Sequence, residues 1–242
     1  MKKFGLIGGT SWNSTVDYYA LINKLINDHH GDNTNPPLRV VSLNQKAIHD
    51  LQRSDDWDAI ADIAGAAALE LQGIGVEGIA LCSNTQHKVF DPLQASLSVP
   101  VLHIADAIAA NLDALGFETV GLIGTRFTMT EDFIKGRLQD RYQVKTVVPT
   151  DAEQGDIQDL VYKELSVGVF SDSTRAIFLQ VIESLSAKGA QAVILGCTEF
   201  PILLRGADCP VPLIDTVACH CEAITRFILD EERPAHGVDR RA

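Results

Sequence analysis

The chain matches itself at about half its length, and an internal duplication of that period constrains the fold more than any local pattern does. Phe4-Gly5-Leu6-Ile7-Gly8-Gly9-Thr10 returns as Val120-Gly121-Leu122-Ile123-Gly124-Thr125, with Gly5 and Gly121 separated by 116 positions. The run from Gly75 to Thr85 aligns with the run from Gly189 to Glu199 at a separation of 114, which sets Ser83 against Cys197 and Cys82 against Gly196. A third pair, Val99 to Asp106 and Pro210 to Asp215, has the same order of proline, apolar strand and aspartate. Three matches in one order predict two similar halves.

Within each half, short β-rich apolar runs alternate with longer stretches of helical period, the pattern of βαβ units around a parallel sheet. Strands are expected at 4–8, 38–43, 77–82 and 100–104, and again at 119–123, 144–148, 191–195 and 211–214. Helices are expected at 14–28, capped by Asn13 or Ser14, and at 56–72, then at 130–140, 155–166, 173–187 and 216–229. The fold class expected is therefore α/β, two pseudo-symmetric halves, each a parallel sheet flanked by helices. The halves are expected to divide near residue 110, as 1–110 and 111–230, with helix 216–229 available to pack on the first. No Gly/Ser linker separates them, and residues 106–117 read as a helix at the boundary. Residues 231–242, with Pro234 and Gly237 among charges, read as a flexible tail.

Composition removes several function classes. Among 242 residues, 20 Lys plus Arg face 32 Asp plus Glu, a net charge of -12, which repels nucleic-acid backbones and anionic membranes. No apolar run approaches the roughly 20 residues that span a bilayer, and Met1 to Gly5 leads into a strand pattern, so a cytoplasmic protein is expected. Five cysteines at irregular spacing predict free thiols and not a disulfide framework. Cys219-His220-Cys221 lacks the ligand spacing and the second pair of a structural zinc site, so no metal is expected.

In parallel α/β sheets ligands gather beyond the carboxyl ends of the strands. Four segments leave strands there: Gly8 to Ser11, Ser83 to Thr85, Gly124 to Thr128, and Cys197 to Glu199. All are rich in hydroxyl, amide and main-chain N–H groups, which suit a small carboxylate. Gly8-Gly9-Thr10 has the spacing of neither a dinucleotide fingerprint nor a Walker motif, so no nucleotide site is expected. Should the halves face each other, Ser83 and Cys197 flank one ligand. Proton-transfer groups on opposite faces of a carbon suit racemisation or epimerisation, and a thiol with a reference pKa of about 8.5 is a credible base near working pH. A serine is weaker, because its hydroxyl does not titrate in the accessible range. The plainer alternatives are a buried small residue for Cys197 and a turn hydroxyl for Ser83. His87 and His103 are expected to be hydrogen-bonded structural residues.

At these residues the chain resembles the aspartate/glutamate racemase family of cofactor-independent amino-acid racemases. The resemblance rests on Gly8-Gly9-Thr10-Ser11-Trp12 with Ser14-Thr15 and Tyr18-Tyr19, on Asn84-Thr85-Gln86-His87, on Gly124-Thr125 with Thr128-Met129, and on Gly196-Cys197-Thr198-Glu199. It covers nearly the whole chain. It implies flavodoxin-like halves with the active site in a cleft between them, no pyridoxal phosphate or other cofactor, and two acid/base residues, one of them Cys197. The family usually has Cys before Asn-Thr, where this chain has Ser83, and the resemblance then suggests a bias toward the L-enantiomer.

For an amino-acid substrate, Thr10, Asn84, Thr85 and Thr198 are the candidates for the carboxylate, with Thr125 in the same set. By resemblance Gln52 and Glu164 are further contacts, Glu164 near the ammonium. An acidic side chain calls for a cation from among Lys163, Lys46, Arg53 and His49. The expected partner is a small amino acid, with no nucleic acid and no membrane, and the resemblance suggests a homodimer. Two other readings stand beside the racemase: a single-thiol decarboxylase or lyase, and a non-catalytic amino-acid-binding protein.

Overall fold

The computed structural model describes residues 1–231, which divide into two compact units. Of the described residues, unit 1 comprises Met1–Ile104 and 220–231, and unit 2 comprises Ala105–Cys219. The tail expected at 231–242 lies outside the described residues except for Glu231.

Unit 1 runs β1 (Phe4–Gly8), α1 (Trp12–His30), β2 (Leu38–Ser42), α2 (Gln45–Arg53), α3 (Trp57–Gly73), β3 (Gly78–Leu81), a 3-10 turn (Thr85–Val89), α4 (Phe90–Ala95) and β4 (Val101–Leu102). Its four strands are parallel in the order β2-β1-β3-β4. The central strands β1 and β3 are buried along their whole length, as continuous apolar runs covered on both faces should be, whereas the edge strand β2 is half exposed. Ile60, Ala64, Ala68 and Leu71 of α3 pack with Ile7, Ile79 and Leu81 of the sheet in one core. α1 begins earlier than expected. Ser11 caps it, accepting from the Ser14 N–H, an arrangement worth about 1 kcal/mol. The Ser14 hydroxyl instead reaches the Cys82 carbonyl at 2.8 Å, tying this helix to the exit of β3.

Unit 2 contains most of α5 (Ile104–Leu115), then β5 (Thr119–Gly124), α6 (Arg126–Thr130), α7 (Asp132–Tyr142), β6 (Lys145–Val147), α8 (Asp151–Lys163), α9 (Asp172–Ala187), β7 (Val193–Gly196), α10 (Phe200–Leu203) and β8 (Leu213–Asp215). The strand order β6-β5-β7-β8 repeats that of unit 1, again all parallel. The chain is thus α/β, with two four-stranded parallel sheets flanked by helices, as the duplication predicts. Ile123, Val193 and Leu195 of the sheet pack with Phe178, Val181, Ile182 and Leu185 of α9, and Phe200 stacks edge-on to Phe178 at 4.7 Å.

The last helix, α11 (Thr216–Leu229), starts in unit 2 and continues in unit 1. Its far end packs on the first sheet: Lys2 N–H donates to the Ile228 carbonyl at 2.8 Å, and Phe227 meets Phe4 edge-on at 5.6 Å. Gly78 makes this contact possible, since a Cβ there would lie 2.6 Å from the Phe227 ring.

Candidate functional site

Each sheet places its chemistry-bearing loops on two adjacent central strands. In unit 1, β1 and β3 run in parallel register with Ile7 opposite Leu81, and the Cys82 N–H donates to the Ile7 carbonyl at 2.9 Å. Gly8 to Thr10 therefore emerges beside Cys82 to Thr85. The turn at Gly9 needs glycine, because its φ is 86° and a Cβ would sit 2.1 Å from the Leu43 carbonyl oxygen. The Gly9 N–H is held by Thr15 Oγ1 at 2.9 Å, which in turn donates to the Ser11 carbonyl. Thr10 is buried, and its hydroxyl has no hydrogen-bond partner among the described residues. A buried hydroxyl left so costs about 1–3 kcal/mol.

Beyond β3, Cys82 is fully buried and Ser83 half-buried, while Asn84 and Thr85 are buried. Burial pushes the Cys82 thiol far above its ordinary range, and no carboxylate partner of the kind Glu199 gives Cys197 stands beside it among the described residues. Gln52 is buried on α2. The long cations expected near it point elsewhere: Lys46 and Arg53 are exposed and both pair with Asp50, the former at 2.7 Å. His49, on the same helix, is half-buried beside the Thr10 main chain, and its pKa is lowered by burial and then by the Arg53 charge, against the opposing Thr10 backbone and Asp50.

In unit 2 the register sets Gly124 opposite Gly196, which brings Thr125 and Cys197 out on neighbouring strands. The Thr125 and Thr128 hydroxyls lie 3.1 Å apart. Cys197 is half-buried, and its Sγ donates to Glu199 Oε2 at 2.9 Å. The same oxygen accepts the Thr198 hydroxyl at 2.9 Å. Main-chain N–H groups of Thr198 and Glu199 favour the thiolate, but burial first and the Glu199 carboxylate second outweigh them, and the thiol is held well above its ordinary pKa. This reverses the expectation of a thiol poised near working pH. At rest the pair is a thiol hydrogen-bonded to a carboxylate. Glu199 stands in the Gly196-Cys197-Thr198-Glu199 run of the sequence but was given no role there.

The remaining candidates sit at the end of α8. This helix opens with a reciprocal cap between Thr150 and Glu153 and is joined to the β5 exit by Gln158, whose Oε1 accepts from the Arg126 N–H at 2.7 Å. The Glu164 carboxylate accepts the Ser171 hydroxyl at 3.3 Å and the Thr174 hydroxyl. Lys163 is exposed and paired with Asp159 at 2.6 Å. The structure thus gathers Thr10, Ser83, Asn84 and Thr85 in unit 1, and Thr125, Cys197 and Thr198 in unit 2.

Among the described residues no group of three or more His, Cys, Asp or Glu is arranged to hold a metal ion. His220, the centre of the Cys-His-Cys run, accepts from the Tyr18 hydroxyl at Nδ1 (2.8 Å) and donates from Nε2 to the Leu102 carbonyl (3.0 Å). Burial, with the neighbouring His87 ring adding to it, pushes its pKa down to about 3. The fold therefore holds a neutral imidazole that the unfolded chain protonates below its ordinary value. The stabilisation is complete above about pH 6.5 and is lost as pH falls toward the depressed value. Thermal melts between about pH 7 and pH 4 should show a steeper loss for the native chain than for His220→Gln, and parallel slopes would contradict the assignment.

Two hydroxyl-rich strand exits in each of two like units, one of them bearing a thiol on a carboxylate, are what the known relatives can be compared with. The Asp/Glu/Hydantoin racemase family model matches residues 7–224. The chain belongs to that family. Its members are racemases, a class of isomerase, and the match takes in nearly every residue of both units. A candidate Asp/Glu racemase from Yersinia pestis has a crystal structure 38% identical, covering 95% of this chain and 100% of that one, with a TM-score of 0.90. An aspartate racemase homologue from Pyrococcus horikoshii OT3 is 32% identical with the same coverages and a TM-score of 0.83. Among curated proteins, the broad specificity amino-acid racemase RacX of Bacillus subtilis (strain 168) is 27% identical over 167 residues, 69% of this chain and 71% of that one.

Proposed function

We propose that the protein is a cofactor-independent racemase of aspartate, glutamate or both, with Cys197 as the base for the L-enantiomer. The observation that carries this reading is the thiol–carboxylate pair at the exit of β7. A carboxylate that accepts the thiol proton can make the nucleophilic sulfur without changing the charge of the pair, which stays at one negative unit. The thiolate then takes the α-proton: the Cα–H bond breaks, its electrons remain on carbon, and an S–H bond forms. Main-chain N–H groups at the same turn favour negative sulfur before the transfer.

Ser83, or a water it holds, returns a proton to the other face. Because no carboxylate among the described residues holds this hydroxyl as Glu199 holds the thiol, it is the less efficient side, and the enzyme is biased toward L-substrates. The carboxylate is received by Thr10, Asn84, Thr85 and Thr198, with Thr125, Gln52, Lys163 and Glu164 completing the substrate contacts. Support for Thr10 is its buried, unpartnered hydroxyl; support for Thr198 is its place on the oxygen that also holds the thiol.

Incubation with each enantiomer in deuterium oxide, without added cofactor, tests the reading. Deuterium should enter the α-position of L-aspartate or L-glutamate at least about tenfold faster than that of the D-form, in line with a well-placed acid/base group. Equal rates from both enantiomers would refute the bias. Loss of carbon dioxide in the same mass spectra would replace racemisation with decarboxylation.

A further inference from the structure

The geometry points to His87 as a positioning residue that fixes the main chain of Ser83 by joining the exits of β3 and β4 through a neutral imidazole. The inference rests on the proposed role of Ser83, and it concerns a residue that never meets substrate.

Two main-chain partners decide the ring's protonation. His87 Nδ1 lies 2.9 Å from the Ser83 carbonyl oxygen, which can only accept, so Nδ1 carries the hydrogen. Nε2 lies 3.1 Å from the Ile104 N–H, which can only donate, so Nε2 is bare. Both nitrogens are thereby spent on backbone, and the side chain is 1% exposed. Ile104 is the last residue of the unit's first segment, where α5 begins. The ring therefore spans from the loop carrying Ser83 to the point where the chain leaves the unit.

Ser83 needs such a hold. The β1·β3 ladder ends with the pair Ile7 and Leu81, and the Cys82 N–H makes the next main-chain bond, to the Ile7 carbonyl. One residue further on, the carbonyl of Ser83 is outside the ladder and is received by His87, while the His87 N–H donates to the Asn84 carbonyl at 3.1 Å. The imidazole is itself confined. His103 lies 4.6 Å from it, His220 5.6 Å, and Phe90 closes on His103 at 4.5 Å, with His220 locked between Tyr18 and Leu102. Such packing allows one ring orientation, so the serine hydroxyl starts from a fixed backbone. Displacements near 1 Å can lower a proton-transfer rate by about a hundredfold, so this hold affects the reaction.

Cys197 lies in the other unit and takes no part in these hydrogen bonds and ring contacts. Loosening His87 should therefore slow return of the proton from the Ser83 side and leave removal from the L-face alone. Two substitutions separate the bonds. In His87→Asn the amide nitrogen takes the place of Nδ1 and keeps the donor to Ser83. In His87→Gln the amide oxygen takes the place of Nε2, keeping the acceptor for Ile104 and losing that donor.

The expected result is racemisation within about threefold of native for His87→Asn and about tenfold or more below it for His87→Gln. Deuterium wash-in from the L-enantiomer should stay within about twofold in both. Amide hydrogen exchange, which needs no substrate, should show the amides at residues 83–85 exchanging faster in His87→Gln than in His87→Asn at matched distance from the melting point. Equal losses in the two variants, a fall in wash-in parallel to racemisation, or identical amide exchange would overturn the assignment. If the native protein neither racemises nor exchanges α-protons, the functional reading fails, and the amide data still decide the hold on Ser83.

Discussion

Cys197→Ser removes α-proton exchange from L-aspartate and L-glutamate, with an expected loss of at least about a thousandfold. The magnitude follows from acidity. Glu199 can take a proton from a thiol but not to any useful extent from a serine hydroxyl, whose pKa lies far above that of a carboxyl group. Size is nearly conserved, and the side chain is only partly buried against the second core, so thermal stability should change little. Proton NMR in deuterium oxide with a parallel melting curve is the measurement. A folded variant retaining more than about a tenth of native exchange would remove the sulfur from the mechanism.

Glu199→Gln sets two effects against each other, and their balance identifies what the carboxylate does. The amide keeps the approximate shape and removes the negative charge that helps hold the thiol above its ordinary pKa. The thiol should then ionise at lower pH, and alkylation of Cys197 by iodoacetamide at a fixed neutral pH should become faster. If the carboxylate merely suppressed the thiolate, turnover would rise with it. If it is the acceptor of the thiol proton, turnover falls by about 10²–10³, the range of a lost general base, while alkylation still accelerates. Opposite movement of the two rates is the expected result. Parallel acceleration would reduce Glu199 to an electrostatic brake.

The duplicated strands and glycine turns made the architecture legible before any coordinates. β1 lies at the residues expected, and β5, β7 and β8 within two of their expected ends. Short polar helices were not legible. α2 has only Ile48 and Gln52 buried, too few apolar positions for a helical period to stand out, and its Asn44 cap reads equally well as a turn. The start of α8 was missed although Thr150 and Glu153 carry the spacing of a reciprocal cap. The helix expected at 130–140 is α7, shifted to Asp132–Tyr142 because Glu131 is extended, and the short α6 before it was not legible.

The candidate site divides in the same way. Alternation along a strand separates Cys82 from Ser83, and in the fold Cys82 is buried while Ser83 is half-buried. Repetition and hydrophobic period are properties of the chain itself, so the α/β class, the doubling and the four loops that carry chemistry follow from the order of residues. Contacts such as Cys197 Sγ on Glu199 Oε2, or His87 between Ser83 and Ile104, depend on torsions beyond the strand ladder and on packing from distant segments. Only the folded chain decides them, because a thiol's acidity and an imidazole's tautomer are set by what lies within hydrogen-bond reach and not by sequence neighbours alone.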